Sequence, residues 1–409
     1  MRSAVPTLNR PVRRPMTVGM ERAVPGLARA GLCRWAEVGR SAHPDPTTAA
    51  HEAVHAALRA HREPGLLLAF VSGAYDPAVL GAALAEVAGP VPLVGCTTAA
   101  EFDAAGPASG SVLVLALGGE GFTFSIAGVS GAAPRDAGAR AAACLGDVAD
   151  REHRVLMLLT DGGAAIHPDI VRGAYSVTGA GVPLVGGVAG HPVGRPDSHA
   201  VLYGPAALND AVVGVAIGSD APLGIGVRHG WEPVGEPLLV TRAAPGRVLE
   251  LDERPAREVY TALLDGEVSD ANVLAHPLGI QPRVGEARVR IVRLDEATDG
   301  SVRCAIPAGA LVWLMRATHD GVIDAADAAC AEAVAALGGA PARALVAFDC
   351  AARLTFLGGG GDVAARETER VARHAAGAPV AGAYTHGEIA RTRGALGFHH
   401  QTFVVLAIA

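Results

Sequence analysis

The chain has 409 residues, enough for two or three domains, and it is 50% hydrophobic and only 18% charged. All 34 basic residues are arginines, which excludes chemistry that needs a lysine, such as a Schiff base or a P-loop. The net charge of −7 argues against nucleic acid as a partner, and no apolar run reaches the roughly 20 residues of a membrane span. Six scattered cysteines without a CxxC pair are typical of reduced thiols in the cytoplasm.

The amino-terminal part of the chain predicts a tail followed by a helix. Residues 1–40 are rich in arginine and proline, and this composition predicts a disordered tail. Residues 41–63 have the apolar spacing of a helix, with Asp45 or Thr47 as the capping residue and a proline–glycine pair as the stop.

This predicted helix contains the sequence HEAVH, which is also a zinc-site pattern. His51 and His55 lie about 40° apart around a helix axis, as two zinc ligands would, and Glu52 between them has the position of a general base. The favoured interpretation is an amphipathic helix that happens to carry histidines. A zinc hydrolase that uses His51, Glu52 and His55 is the alternative.

A ten-residue sequence motif, the repeated phrase, occurs three times in the chain. It reads PLVGCTTAAE at 92–101, PLVGGVAGHP at 183–192 and PVAGAYTHGE at 379–388. In the first and third copies an acid, Glu101 or Glu388, stands six residues after the first glycine. Because an apolar strand and a helix precede each copy and another apolar strand follows it, one unit is repeated three times.

The repeated unit predicts the fold class. Its order of strand, helix, strand, glycine loop and strand is typical of an α/β fold with layered mixed sheets. Composition and repeat spacing divide the chain into two domains, 41–265 and 266–409. The strands are continuous apolar runs rather than alternating ones, which predicts sheets that are covered on both faces.

Two sets of local strand pairings are also predicted. Strands at 112–117 and 122–129 flank a glycine-rich turn and are expected to form an antiparallel pair. Strands at 211–217, 224–229 and 238–241 are expected to form a meander.

Ligands of α/β sheets favour the crevice beyond the carboxyl ends of the strands, where all three glycine loops are placed. We therefore expect the loops to meet in one cleft. Glu101 or Glu388 would bind a ligand amine there or cap a turn, and Arg353 would hold a carboxylate or form a structural salt bridge. The candidate ligand-binding residues are Cys96, Thr97, Thr98, Glu101, Gly186, Gly187, His191, Cys350, Arg353, Tyr384, Thr385, His386 and Glu388.

Two further classes of function remain open from the residues. Cys96 and Cys350 each lie near a strand end, and either would act as a nucleophile if His191 or His386 served as its base. A buried cysteine is otherwise a common packing residue. A ligand-free interaction scaffold is the third possibility, and no cofactor or metal ion is predicted.

Two ordered sets of motifs resemble the FIST family, which is named for F-box and intracellular signal transduction proteins. The motifs lie at 70–72, 92–101, 183–190 and 230–235 for the FIST N-terminal domain, and at 348–353, 382–389 and 398–402 for the FIST C-terminal domain. The resemblance covers the chain from about residue 41 to its end. It departs from the family pattern at three positions: Cys96 replaces a usual serine, His191 an aspartate and His400 an asparagine.

The resemblance implies a sensory module rather than an enzyme. Such a module would bind a small polar, amino acid-like metabolite in the cytoplasm and signal through a partner protein. Nucleic acid and a membrane span are not expected as parts of this function.

Overall fold

The computed structural model describes residues 34–61, 63–161, 166–192, 195, 198–280, 288–295, 299–392 and 397–409. Across these residues the strands form four sheets, of which three follow one plan and the fourth is a separate layer. None of the helices in these ranges is long and apolar enough to cross a membrane.

The first sheet is built on the first repeated unit. In spatial order it contains β1 (Trp35–Ser41), β6 (Val112–Gly118), β2 (Pro64–Ser72), β3 (Leu93–Thr98), β10 (Val201–Tyr203) and β11 (Ala206–Leu208). The central strands β2 and β3 run parallel, and β6 pairs antiparallel with β2. Hence the unit contributes three neighbouring strands, and the remaining strands come from elsewhere in the chain.

The second and third sheets repeat this plan. The second contains, in spatial order, β24 (Phe398–His399), β23 (Glu388–Arg391), β9 (Leu184–Val188), β8 (His153–Thr160), β12 (Ala211–Ser219) and β7 (Phe122–Ser130). The third contains β13 (Leu223–Arg228), β25 (Phe403–Ile408), β21 (Ala344–Cys350), β22 (Val380–Thr385), β4 (Ala100–Asp103) and β5 (Gly106–Ala108). The pairs β8–β9 and β21–β22 are parallel, as β2–β3 is.

Each unit donates a hairpin to the sheet of another unit. The hairpin β4–β5 of the first unit pairs with β22 of the third, and β10–β11 of the second pairs with β3 of the first. The hairpin β23–β24 of the third unit pairs with β9 of the second. This cyclic exchange gives the three sheets an approximate threefold arrangement, and it joins the two predicted domains through shared sheets.

The fourth sheet lies outside this arrangement. In spatial order it contains β16 (Arg254–Pro255), β15 (Arg247–Leu251), β14 (Glu232–Ala244), β20 (Leu311–Arg316), β17 (Leu278–Ile280) and β18 (Arg288–Arg290), and β19 (Val302–Arg303) pairs with β15. A small core of its own, which includes Tyr260 and Val248, holds this layer together.

Helices cover the outer faces of the sheets. They are α1 (Pro46–Ala57), α2 (Pro77–Ala88), α3 (Pro134–Ala141), α4 (His167–Thr178), α5 (Ala256–Leu263), α6 (Asp270–Ala275), α7 (His319–Ala335), α8 (Ala351–Phe356) and α9 (Asp362–Ala375). Aspartates begin the first two: Asp45 accepts a hydrogen bond from Thr48 N at 2.8 Å, and Asp76 accepts one from Ala78 N at 2.8 Å. These caps satisfy backbone donors that have no partner inside the helix.

The inner faces of the three repeated sheets pack against one another in a central core. Phe70 of β2 and Phe348 of β21 meet there edge-on, with ring centroids 5.6 Å apart. Helices cover the opposite faces with separate apolar clusters. Burying each large apolar side chain in these cores contributes about 1.5–3 kcal/mol to the free energy of unfolding. The prediction of an α/β fold with sheets covered on both faces is therefore confirmed.

The three glycine loops meet around the approximate threefold axis. Three backbone hydrogen bonds close a cycle there: Ala99 N donates to Tyr384 O at 2.9 Å, His386 N to Val188 O at 3.1 Å, and Gly190 N to Thr97 O at 2.8 Å. The donors occupy equivalent positions of the repeated phrase, and so do the acceptors. Since each unit bonds to the next, the loops are fixed relative to one another.

The structure corrects the predicted ends of two amino-terminal elements, the tail and the first helix. The tail predicted to extend to residue 40 is wrong for 35–40, which form β1 and pair with β6, while residues 1–33 lie outside the described residues. The helix predicted over 41–63 spans only α1, because β1 continues to Ser41 and Asp45 caps the helix. The short strand β1 mixes polar and apolar residues next to an arginine-rich segment, and it gave no periodic signal long enough to distinguish it.

The two predicted local pairings are wrong. Strand β7 pairs with β12 in the second sheet, whereas β6 lies in the first sheet. Strands β12, β13 and β14 belong to three different sheets rather than to one meander. A short turn favours a hairpin, but here β7 and β13 each extend a sheet built by a later part of the chain.

The glycine of the repeated phrase permits a close approach between strands. A Cβ atom at Gly95 would lie 2.1 Å from the carbonyl oxygen of Ala69, and one at Gly186 would lie 1.9 Å from that of Leu158. Both distances are far shorter than a van der Waals contact, so a side chain at either position would push β3 or β9 from its parallel neighbour.

We expect Gly95→Ala to lower the free energy of unfolding by about 1–3 kcal/mol or more, because the added methyl group meets backbone that cannot move independently. Gly146→Ala is the matched control, since a Cβ there meets no atom within 4 Å. Urea unfolding of both variants tests this. Equal stability of the two variants would contradict the close-approach explanation.

Candidate functional site

Most of the predicted site residues lie at the carboxyl ends of the central strands, but they are enclosed. The fully buried ones are Cys96, Thr97, Thr98, Glu101, Gly186, Gly187, Cys350, Arg353, Tyr384, Thr385 and Glu388. Only His191 and His386 are half-buried. The structure thus brings the predicted loops together, yet it leaves just two of the predicted side chains at a surface that a ligand can reach.

Glu101 is fully buried at the loop junction, and its carboxyl group is neutral. The hydroxyl groups of Thr98 and Ser111 each donate a hydrogen bond to its carboxyl group. Burial raises the pKa of Glu101 to about 8, although these two hydroxyls and the charge of Arg40 act in the opposite direction. Since both oxygens have protein partners and none is exposed, the geometry does not support an amine-binding role for Glu101.

Glu388 repeats this arrangement in the third unit. Thr385 Oγ1 donates to its Oε1 at 3.3 Å, and the backbone N of Thr402 donates to its Oε2 at 3.2 Å. Burial and the neighbouring Asp349 carboxyl raise the pKa of Glu388 well above its ordinary value. Glu388 is therefore also a buried, protonated partner of strand-end hydroxyl and amide groups.

The second unit has no acid at this position. Val201 pairs with Cys96 in the same register in which Glu388 pairs with Gly187, so Val201 occupies the place of the glutamates. The segment between Gly190 and Ala200 is an insertion relative to the other units, and it carries His191 and His199. The loop of the second unit thus has two histidines nearer the surface in place of the buried acid of the other two units.

Arg353 is the centre of a buried ionic network. Its Nε donates to Asp349 Oδ1 at 2.6 Å, and its Nη2 contacts the carboxylate of Glu367. The backbone carbonyls of His229 and Val322 accept the remaining hydrogen bonds, at 2.7 and 3.2 Å. This guanidinium is fully buried, and its contacts are within the protein. Arg353 therefore forms a structural salt bridge, the second of its two predicted roles, and is not part of the proposed site.

The two candidate nucleophilic cysteines are protonated. Burial raises the pKa of Cys96 to about 12, with a smaller contribution from Glu101. Burial, with a smaller contribution from the Glu388 carboxyl group, raises the pKa of Cys350 well above its ordinary value. Both thiols are buried, so the geometry gives no support for a thiolate nucleophile at either position.

The accessible part of the loop junction is a group of histidines. The rings of His191 and His386 meet edge-on with centroids 4.3 Å apart, and His199 lies 6.3 Å from His191. His191 Nδ1 donates to the carbonyl of Pro192 at 3.0 Å. Burial, reinforced by His191, Arg293 and His199, lowers the pKa of His386 to about 4, so this ring is neutral near pH 7.

The structure places a set of basic residues beside this group that sequence reasoning did not select as a site. They are Arg288 and Arg290 on β18, Arg293 after it, and His399 and His400 at β24. Burial lowers the pKa of His399 to about 4, and Arg290 and Arg288 add to this effect. The alternation of Arg288, Val289 and Arg290 indicated a strand with one charged face, but nothing local indicated that β18 would pack on β24.

The HEAVH histidines lie on α1, on the outer side of the first sheet. The rings of His51 and His55 are 6.3 Å apart, and Glu52 Oε2 accepts a hydrogen bond from Ser41 at 2.6 Å. Across the described parts of the chain, no group of three or more His, Cys, Asp or Glu side chains has the arrangement of a metal site.

A surface concavity in the fourth-sheet layer is distant from the glycine loops. Arg257, Glu258 and Thr261 of α5 line it together with neighbouring loop residues. It is open to solvent and contains none of the predicted site residues, so it does not define the site.

Comparison with known proteins identifies the class of the chain. The FIST N domain model matches residues 65–254, and the FIST C domain model matches residues 256–391. The chain therefore belongs to the FIST family, as its motifs predicted. FIST domains are associated with signal transduction and with the sensing of small ligands.

The other two comparisons add less. No curated protein matches the chain. A solved cyanuric acid hydrolase, described as an evolutionary innovation by structural concatenation, shares 13% identity and a TM-score of 0.33, over 92% of this chain and 100% of that one. The cyanuric acid hydrolase of A. caulinodans shares 11% identity and a TM-score of 0.31, over 92% of this chain and 99% of that one.

Proposed function

We propose that this protein is a cytoplasmic sensory module that binds a small polar, amino acid-like metabolite and signals through a partner protein. The ligand site is the junction of the three glycine loops, on the side where His191, His199 and His386 are partly exposed. The family's association with small-ligand sensing and signal transduction supports the general role.

The observation that carries the proposal is the cyclic set of backbone hydrogen bonds among the loops. It holds three strand ends from distant parts of the sequence within one small region. A ligand that contacts two of these loops would contact two units at once, because the loops belong to different sheets. The free energy of ligand binding at this point therefore shifts the relative positions of the units. A sensor needs such a shift to pass a signal to its partner.

The chemistry of the junction suits binding better than covalent catalysis. The candidate nucleophiles Cys96 and Cys350 are buried and protonated, whereas the accessible His386 ring is neutral and offers one hydrogen-bond donor and one acceptor. The cytoplasmic assignment draws on the cysteines, because all five within the described residues are free thiols.

Thermal melting against the common amino acids, small carboxylates and small amines tests the proposal. A ligand at a hundredfold excess over its dissociation constant stabilises the folded state by about 2.7 kcal/mol, a readily measured rise in melting temperature. We expect at least one compound to give such a rise, and His386→Ala to abolish it.

His153→Ala is the matched control for this experiment. His153 begins β8, at the opposite end of the strand from the loop junction, so its loss should leave the ligand effect unchanged. If no compound raises the melting temperature of the native chain, the scaffold alternative takes precedence. An equal loss of the effect in both variants would show that binding occurs away from the junction.

A further inference from the structure

Three arginines lie on β18 and just after it, beside the loop junction. Among the described residues, no carboxylate lies within ion-pair distance of Arg288, Arg290 or Arg293, whereas several other arginines of the chain have such a partner. The guanidinium of Arg290 donates to the backbone carbonyl of Val289 at 2.9 Å.

The strand geometry directs these side chains to one surface. Val289 is buried, and Arg288 and Arg290 on either side of it share the opposite face of β18, because side chains alternate along a strand. Strand β18 packs on β24, which carries His399, and the imidazole of His399 is held by the carbonyl of Ala390 at 2.9 Å. The arginine-bearing face is thus set against the histidines at the end of the third unit.

Arg293 connects this face with the loop junction. Two backbone hydrogen bonds of 3.0 Å with Arg303 fix its position after β18. Its charge lowers the pKa of both His386 and His400, which agrees with a position near both rings. The largest charge effects on His386, His399 and His400 come from basic groups: His167, His191, His199, His229, Arg288, Arg290, Arg293 and His399.

Withdrawing a guanidinium from water without pairing it is costly, and a protein interior compensates such a charge with an anion. Arg288 and Arg290 are half-buried, and burial lowers the pKa of both guanidinium groups. Among the described acids near the loops, Glu101 and Glu388 are buried and protonated, and Asp161 is buried and accepts hydrogen bonds from the backbone N of Asp210 and Ala211 at 2.9 and 2.7 Å. The described residues of the accessible surface therefore supply hydrogen-bond donors and positive charge, whereas these acids are enclosed.

From this arrangement, and building on the proposed function, we propose that the surface between β18, β24 and the glycine loop of the third unit binds the oxyanion group of the ligand. Arg290 and Arg293 hold the oxyanion, a carboxylate or a phosphate, through their guanidinium groups. His386 and His400 donate hydrogen bonds at its sides. The bidentate geometry of a guanidinium matches both kinds of oxyanion.

Titration of the full chain with malonate and, separately, with inorganic phosphate tests this proposal at constant ionic strength. We expect saturable binding by calorimetry for at least one of the two anions. Arg290→Gln should weaken it at least tenfold, and Arg293→Gln at least threefold. Because Arg293 is exposed, its variant tests the site even if Arg290→Gln alters folding.

Arg343→Gln is the matched control. Arg343 is an exposed arginine of the same domain that precedes β21 at the end of the strand remote from the loops, so its loss should change anion affinity less than twofold. If Arg343→Gln and Arg293→Gln weakened anion binding equally, the effect would come from net charge alone, and the proposal would be overturned.

The outcomes also separate this inference from the function on which it rests. If an uncharged compound or an amine binds in a manner that needs His386 while neither anion binds, the sensory function stands and the oxyanion site is wrong. If no compound of any charge binds, both proposals fail.

Discussion

Replacing Arg353 with methionine is expected to lower the free energy of unfolding by about 3–5 kcal/mol at neutral pH. The guanidinium is fully buried between Asp349 and Glu367, and no water is available to solvate either carboxyl group after its removal. Burial already raises the pKa of both acids, and Arg353 opposes this shift. Urea unfolding at two pH values measures the loss.

The loss should depend on pH in a defined direction. Without Arg353 the two buried carboxyl groups fold only when protonated, so their folded-state pKa values rise further above the unfolded values. A raised carboxyl pKa means that the folded state binds more protons, and stability then falls as pH rises. We therefore expect the deficit of Arg353→Met to be larger at about pH 8 than at about pH 5.

Arg366→Met is the matched control for this substitution. Arg366 lies on α9 near Glu367 and pairs with Asp320 at 2.7 Å, but both side chains of that pair are at least half exposed. An exposed pair contributes about 0–1 kcal/mol. In addition, Arg353→Met combined with Asp349→Asn and Glu367→Gln should recover part of the loss. Similar losses at Arg353 and Arg366 would contradict the buried-network account.

Glu101→Gln is expected to remove a pH-dependent loss of stability from the native protein. Burial raises the folded-state pKa of Glu101 from 4.5 to about 8, so the folded protein keeps a proton that the unfolded chain releases. Native stability should therefore fall between about pH 5 and pH 8, by on the order of 3 kcal/mol from this group. The glutamine amide is neutral throughout and keeps hydrogen-bond partners for Thr98 and Ser111.

The test compares the unfolding free energies of the native chain and Glu101→Gln across this pH range. We expect the difference between them to shift in favour of the variant as pH rises. Glu236→Gln, at an exposed position on β14, is the control and should follow the native chain at every pH. A constant difference between the native chain and Glu101→Gln would show that Glu101 does not carry the proton.

Local sequence patterns predicted the repeated units because those patterns come from contacts within each unit. The helix expected before the second copy of the repeated phrase is α4, since Pro168 in its first turn and Gly179 after its last residue define its ends. The strands of the units were equally clear, because continuous apolar runs have few alternatives. The pairing of β7 with β12 was missed because no local feature of 122–129 distinguishes one neighbouring sheet from another.

The candidate site was predicted in part. The three loops were expected to meet, and the hydrogen bonds from Ala99, Gly190 and His386 join them. Which residues of the loops face solvent was not predictable, because Glu101 and Glu388 are polar in sequence yet sealed in the fold. Arg290 and Arg293 were missed, since only the packing of β18 on β24 brings them near the junction.

The sequence by itself determined the α/β class and the three units, because periodicity and residue size act over a few residues. Only the tertiary structure decided which sheet receives each hairpin and which acids are protonated. Arg353 illustrates the reason: one of its partners, the carbonyl of His229, lies 124 residues away in the chain. Burial and charge at a site are sums over such distant neighbours, and no local pattern contains them.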